Sequence, residues 1–469
     1  MRASHLLCLA TLSIVACDGP GPSFSKATVD ATALGTELPR GFLLGAATAA
    51  HQIEGGETND WSVWETGSYP DGTPHIRNRD TSQIANGSWT RWPQDVEALT
   101  TLGANAYRFS LEWSRLEPTE GAWDAAAAAN YRSQLLALKA RGITPVLTIH
   151  HYTFPLWVEA HGGWQWDGIS AALGAFAGRV ASAYGDLVDV YCTINEPNVG
   201  AFEAYLWGHY PPGKKDAVQA GQVYVTMLHA HVAMTTALRA LDTIDADGDG
   251  HATQVGMALH MALFEPATAS ALDAMMAGFD DDVFNEMIPR AVATGRARVY
   301  LPGVVDIDEA VPGLQGTFDY LGINYYRRFM VRFDLSQDAL ATQYALAGRP
   351  VSDLGYEIYP EGLYRTLVRE ARWGWPIYIL ENGVCDAVGD TFPGALRSHL
   401  YAVVLALRAH LDVRGFFVWS LADNFEWADG YFPKCGLFKL DTSDPGLVRQ
   451  PRQVVPVFQQ VAREAGLLP

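Results

Sequence analysis

Cysteine is scarce in this chain, with five in 469 residues. Cys8 and Cys17 sit near the N-terminus, leaving Cys192, Cys385 and Cys435, an odd number at long spacings. That distribution suggests neither a disulfide framework nor a Cys/His zinc site. Basic charge is also short. Lysine and arginine total 33 against 52 acidic residues, a net charge of −19. This balance argues against nucleic acid or an anionic membrane face as the main partner. Beyond the N-terminus no stretch is long and apolar enough to span a bilayer. There is no Gly-x-Ser-x-Gly elbow, and Gly45-Ala46-Ala47-Thr48 is not a phosphate-cradling glycine turn. His150 and His151 are adjacent on a strand-like stretch, so their rings face opposite ways and cannot chelate one metal together. No metal and no cofactor is expected.

Hydrophobic residues make up 49% and charged residues 18%, a globular composition with material for a large core. The 14 Trp and 20 Tyr suit either core packing or a pocket for sugar rings, and composition does not choose between them. Leu6 to Ala16 is an apolar run of 11 residues, too short to span but the right size for a secretory leader. It ends Ile14-Val15-Ala16-Cys17, which resembles a bacterial lipoprotein cleavage box. We therefore expect a leader over 1–16, a lipidated Cys17 and a flexible spacer over 17–40, rich in Gly, Pro, Ser, Thr and Ala. Such a chain is exported to the cell envelope and meets the membrane only through its lipid.

From Gly41 onward strand-like and helix-like stretches alternate. Strands are expected over Phe42–Ala50, Asn105–Trp113, Thr144–Tyr152, Asp189–Pro197, Gln254–Leu263, Phe318–Tyr326, Pro376–Gly383 and Gly415–Asn424. Most are near-continuous apolar runs, as expected of parallel strands buried on both faces. Between them Val96, Leu99 and Leu102 share a helical face that Gly103 ends, and Tyr131, Leu135 and Leu138 share another before Gly142. Eight such units predict a single α/β domain over 41–469, a (β/α)₈ TIM barrel. Two stretches interrupt the rhythm. Asp245, Asp247, Asp249 and Gly250 begin like a calcium loop, but position twelve is Gly256, not glutamate, so a solvated acidic turn is expected. Arg327 to Asp353 reads as a long irregular loop of the kind that shapes a barrel's pocket.

Active sites of such barrels lie at the C-terminal strand ends. The polar residues there are His51, Gln52 and Glu54 on strand one, Arg108 and Glu112 on two, and His150, His151 and Tyr152 on three. Strand four ends in Asn195-Glu196-Pro197, strand six in Asn324-Tyr325-Tyr326 and strand seven in Glu381-Asn382. Strand eight carries Trp419, Ser420, Asp423 and Asn424, with Glu426 and Trp427 beyond. Strands four and seven face each other across an eight-stranded barrel, so Glu196 and Glu381 can flank one bond. Glycoside hydrolysis needs such a pair, one carboxylic acid to protonate the leaving oxygen and one carboxylate to attack or to activate water. Arg108 is the candidate cation to keep Glu381 ionised.

At these residues the chain resembles the family 1 glycoside hydrolases, the β-glucosidase family. The motifs are Phe42-Leu-Leu-Gly-Ala-Ala-Thr-Ala-Ala-His-Gln-Ile-Glu-Gly55, Tyr107-Arg-Phe-Ser-Leu-Glu-Trp-Ser-Arg115, Thr193-Ile-Asn-Glu-Pro197, Tyr378-Ile-Leu-Glu-Asn-Gly383 and Phe417-Val-Trp-Ser-Leu-Ala-Asp-Asn-Phe-Glu-Trp427. The resemblance implies an exo-acting retaining β-glycosidase, a β-glucosidase above all, acting on a β-linked oligosaccharide or glycoside. It implies Glu196 as acid/base and Glu381 as nucleophile. Asn195, Gln52, His151, Glu426, Trp419 and Trp427 would hold the sugar, with Tyr152 beside them, and Arg108, Asn324 and Tyr326 would support the nucleophile. Departures from the family pattern fall at Leu44, His51 and Tyr152, where Trp, Tyr and Trp are usual; they bear on sugar preference and pocket shape. Glu426-Trp427 matches members that take unphosphorylated sugars, and Glu196 in place of Gln separates the chain from plant thioglucosidases. Two other readings stand beside this one: a silent lipid-anchored sugar receptor, and a transglycosylase.

Overall fold

The computed structural model describes residues 22–337 and 340–468. The expected leader and Cys17 lie outside them. Eight strands are found where the apolar runs predicted them: β1 (Leu43–Ala47), β2 (Ala106–Ser110), β3 (Thr144–His150), β4 (Val190–Asn195), β5 (Gln254–Pro266), β6 (Leu321–Phe333), β7 (Ile377–Asn382) and β8 (Val413–Trp419). All neighbours pair in parallel, in chain order, and β8 pairs back onto β1, closing a TIM barrel.

Alternation sorts the strand residues into two apolar layers. One face of each strand packs on the surrounding helices in the main core. The other fills the barrel interior, where Ala47, Ala106 and Ala258 leave room for Tyr320, Tyr378, Phe417 and Trp419. The helices follow their caps. Helix Ser88–Leu102 stops at Gly103, whose φ of 74° is a left-handed turn that glycine takes without strain. Helix Ala125–Ala140 starts at Asp124, whose carboxylate accepts from the N–H groups of Ala126 and Ala127.

Three expectations need correction. The spacer is not a free tether over its described part. Lys26–Ala31 is a helix and Leu34–Glu37 a 3₁₀ turn. Val29 and Leu34 are buried in the main core, and Arg408 pairs with Glu37 at 2.7 Å. The loop expected over 327–353 is partly sheet: β6 runs on to Phe333, and Ala341–Tyr344 pairs with it antiparallel. Its two adjacent arginines broke the apolar run that marked the other strands. Lastly, Cys385 and Cys435 form a disulfide, linking the loops after β7 and β8, while Cys192 is free and buried in the barrel.

Candidate active site

The register slips at the C-terminal end of the barrel, between Cys192 and Asn195 on β4 and between Ile379 and Glu381 on β7. Such irregularities re-aim side chains at strand ends. Here they lie at the two glutamates. Glu196 leaves β4 with φ 43°, ahead of Pro197, which opens the next short helix. Tyr152 and Trp427 also have positive φ, at 72° and 49°. Left-handed backbone is costly for such side chains, and its clustering at one barrel mouth marks a built site.

Arg108 is wholly buried and fixed from three sides. It donates from Nη1 to Glu381, from Nη2 to Asn195 Oδ1 at 2.7 Å, and from Nε to Thr148 Oγ1 at 3.1 Å. Tyr326 OH donates to the second oxygen of Glu381 at 2.6 Å. On the opposite strand Glu196 accepts from Asn324 Nδ2 at 2.9 Å and from the Tyr152 phenol, with His260 Nδ1 3.2 Å away. Asn324, expected beside the nucleophile, therefore serves Glu196 and Asn195 instead. Tyr152, expected as a sugar contact, has its hydroxyl on Glu196. His260 was missed within an apolar run. The signal was present: it is the sole polar side chain between Val255 and Leu263, and it shares parity with Ala258, which faces the barrel interior.

The remaining expected residues gather in the same cavity of about 1020 Å³. Gln52 donates to Glu426 at 3.2 Å, as does Trp419 Nε1 at 3.3 Å. Asn195 lies 3.1 Å from His151 Nε2, and the His151 ring lies nearly parallel to those of Trp419 and Trp427, with centroids 6.2 and 6.0 Å away. Gln52 Oε1, His151 Nδ1 and Asn324 Oδ1 are buried with no protein partner, and Gln52 and His151 line the cavity. The other polar residues at the strand ends serve the frame: His51 pairs with Glu65, Glu54 with Arg115, and Asp423 with Arg452. Asp189, Asp245 and Asp247 lie within 4.8 Å of one another at the opposite end of the barrel. Their oxygens accept backbone N–H groups of their own acidic turn.

Burial pushes Glu381 up to about 7; Arg108 opposes the rise and the charge of Glu196 adds to it. Burial also works to raise Glu196, but His260, Tyr152 and Asn324 outweigh it and hold that carboxyl below its ordinary 4.5. Between those limits the two carboxyls share one proton. The expected kcat/KM profile is a bell with its alkaline limb near 7 and its acid limb below 4.5. Replacing His260 by Asn removes the neighbour that does most to lower Glu196 and should move the acid limb to higher pH. An unchanged profile would mean that His260 does not set the Glu196 carboxyl.

The fold and the site together define a barrel glycosidase with two opposed carboxylates. A profile described as "Glycosyl hydrolase family 1" matches residues 34–467, and the chain belongs to that family of retaining β-glycosidases. Over 429 residues it is 32% identical to a 1,4-beta-D-glucan glucohydrolase of Thermotoga neapolitana, covering 86% of this chain and 98% of that one. It is 26% identical to a beta-galactosidase of Pyrococcus woesei, covering 92% and 98%. It superposes on the family 1 β-glucosidase of Thermotoga maritima with a TM-score of 0.82 at 28% identity, covering 91% and 98%.

Proposed function

We propose that this chain is an exo-acting β-glucosidase that releases terminal, unphosphorylated β-linked sugars through a covalent intermediate. The observation that carries the reading is the unequal support of the two carboxylates. Glu381 is oriented through both oxygens by Arg108 and Tyr326, which suits an attacking carboxylate. Glu196 faces it from β4 within a set of neutral donors and one histidine, which suits a group that exchanges a proton. Glu381 attacks the anomeric carbon while Glu196 protonates the departing oxygen. Water then enters at the vacated position, Glu196 takes its proton, and the sugar leaves with its configuration retained. Gln52, His151, Asn195 and Glu426 hold the sugar's hydroxyls over the Trp419 floor. Burial pushes Glu426 up to about 8, so below that pH it can donate as well as accept.

The test is a panel of 4-nitrophenyl β-glucoside, β-galactoside and β-fucoside, with the first-formed anomer read by NMR. Glucoside preference and a β-anomer first are expected. An α-anomer first would overturn retention, and sugar binding without hydrolysis of any member would favour a receptor. Transfer to added alcohol outrunning hydrolysis would favour a transglycosylase.

The enzyme is proposed to work in the cell envelope, tethered at lipidated Cys17. The Cys385–Cys435 disulfide supports export, since such bonds persist in oxidising compartments. Cys17→Ala should shift the protein from the membrane fraction to the soluble one; unchanged fractionation would refute the anchor.

A further inference from the structure

The wall of the cavity beyond the sugar residues contains an arginine with no anionic partner. Arg327 follows Tyr326 on the extension of β6, and both line the cavity that holds Glu196 and Glu381. Its guanidinium carbon lies 4.1 Å from the Phe329 ring centre and 3.9 Å from that of Tyr356. Among the described residues no carboxylate comes within salt-bridge distance of it, and its Nε is buried without a hydrogen-bond acceptor. Its neighbours differ. Arg328, one residue on, pairs with Glu265 and Glu357 at 2.7 and 2.5 Å, and Arg365 pairs with Glu265 at 2.6 Å. In a chain with 19 more acidic than basic residues, an unpaired and largely enclosed cation is not explained by a shortage of partners.

Placing a charge in such a setting is unfavourable unless something repays it. The two rings repay part through their faces. They also fix the guanidinium plane and leave its edge, the donor fork, free of protein acceptors. That fork matches a carboxylate, sulfate or phosphate. The acidic groups that face Arg327 are Glu196 and Glu203, neither in contact with it. They make long-range steering of an anion poor, so any anion here must be held by direct contact.

We infer that Arg327 is a specificity residue for the leaving group, and that the preferred substrates are β-glycosides whose aglycone carries an anionic group within reach of the Phe329–Arg327–Tyr356 stack. This rests on the glycosidase reading and adds the chemical class of the aglycone to it. The remaining wall suits the rest of such a molecule. Phe202, Leu206, Phe264 and Phe284 line the cavity, giving apolar surface around one cation.

The experiment compares two aryl glycosides of the sugar that the enzyme takes best, one bearing 4-(carboxymethyl)phenyl and the other 4-(carbamoylmethyl)phenyl. The two phenols are matched in size and leaving ability, so chemistry at the glycosidic bond is nearly constant. Wild type should favour the carboxylate by about 10–100-fold in kcat/KM, the range of a charge-assisted contact. Arg327→Met should bring the ratio to about one or below, as the remaining acidic groups repel the anion. Arg327→Lys, which keeps the charge without the planar fork, should give an intermediate ratio. A wild-type ratio near one overturns the inference even if the variants fail to fold, and so does a preference that survives Arg327→Met. Absence of hydrolysis for every 4-nitrophenyl glycoside is a different failure, that of the glycosidase reading itself.

Discussion

Glu381→Ala should lose about 10⁴-fold or more in kcat on every β-glycoside, whatever its leaving group, because the attacking atom is gone and no other carboxylate shares its place. Arg108 would keep its contacts with Asn195 and Thr148, although the removed carboxylate leaves a buried cation with less compensation. Circular dichroism and sugar binding therefore belong beside the kinetics. Azide added to this variant with an activated aryl glycoside should enter from the vacated face and give the α-glycosyl azide. Near-wild-type turnover, or a β-azide, would show that the attacking group lies elsewhere.

Glu196→Ala should fail selectively. Glycosides with acidic phenols leave with little proton assistance, so their first step should survive comparatively well. Oligosaccharides with poor leaving groups should lose about 10²–10⁴-fold, the usual worth of a general acid. Deglycosylation then becomes limiting, since no base activates water, and KM for activated substrates should fall as the intermediate accumulates. Azide needs no base; it should restore turnover and give the β-glycosyl azide. Tyr152→Phe is the companion measurement, because the phenol rests on this carboxylate. It should shift the pH profile without reproducing the leaving-group dependence. A Glu196→Ala variant equally impaired on good and poor leaving groups would remove Glu196 from the role.

The opposition of these glutamates was legible in the sequence. Buried parallel strands read as continuous apolar runs, the runs could be counted, and their count placed positions four and seven across a barrel. Arg108 lies inside one of the quoted motifs, and Tyr326 closes the sixth apolar run at the barrel's C-terminal end. What was not legible depends on lateral neighbours. Asn324 lies on β6, beside the β7 of Glu381 and two strands from the β4 of Glu196, and sequence alone does not say which carboxylate its amide turns to. His260 sits on β5, which no motif singled out. The disulfide was hidden by parity: three cysteines suggest none is paired, yet the adjacency of β7 and β8 brings two of their loops together. The described spacer has linker composition, but two apolar side chains, Val29 and Leu34, were enough to seat it on the barrel's flank.

That seated segment bears on where the catalytic domain can be cut. Composition alone would start a recombinant protein at Gly41, as the first residue of the barrel. Gly35 donates its N–H to Glu464 of the last helix, and Arg397 donates to the carbonyls of Asp30 and Thr32. Val29 and Leu34 fill the groove beside them. A protein begun at Gly41 loses the burial of both side chains, worth about 1.5–3 kcal/mol each, and bares an apolar flank of its C-terminal helices to self-association. Begun at Pro22, it keeps that flank covered.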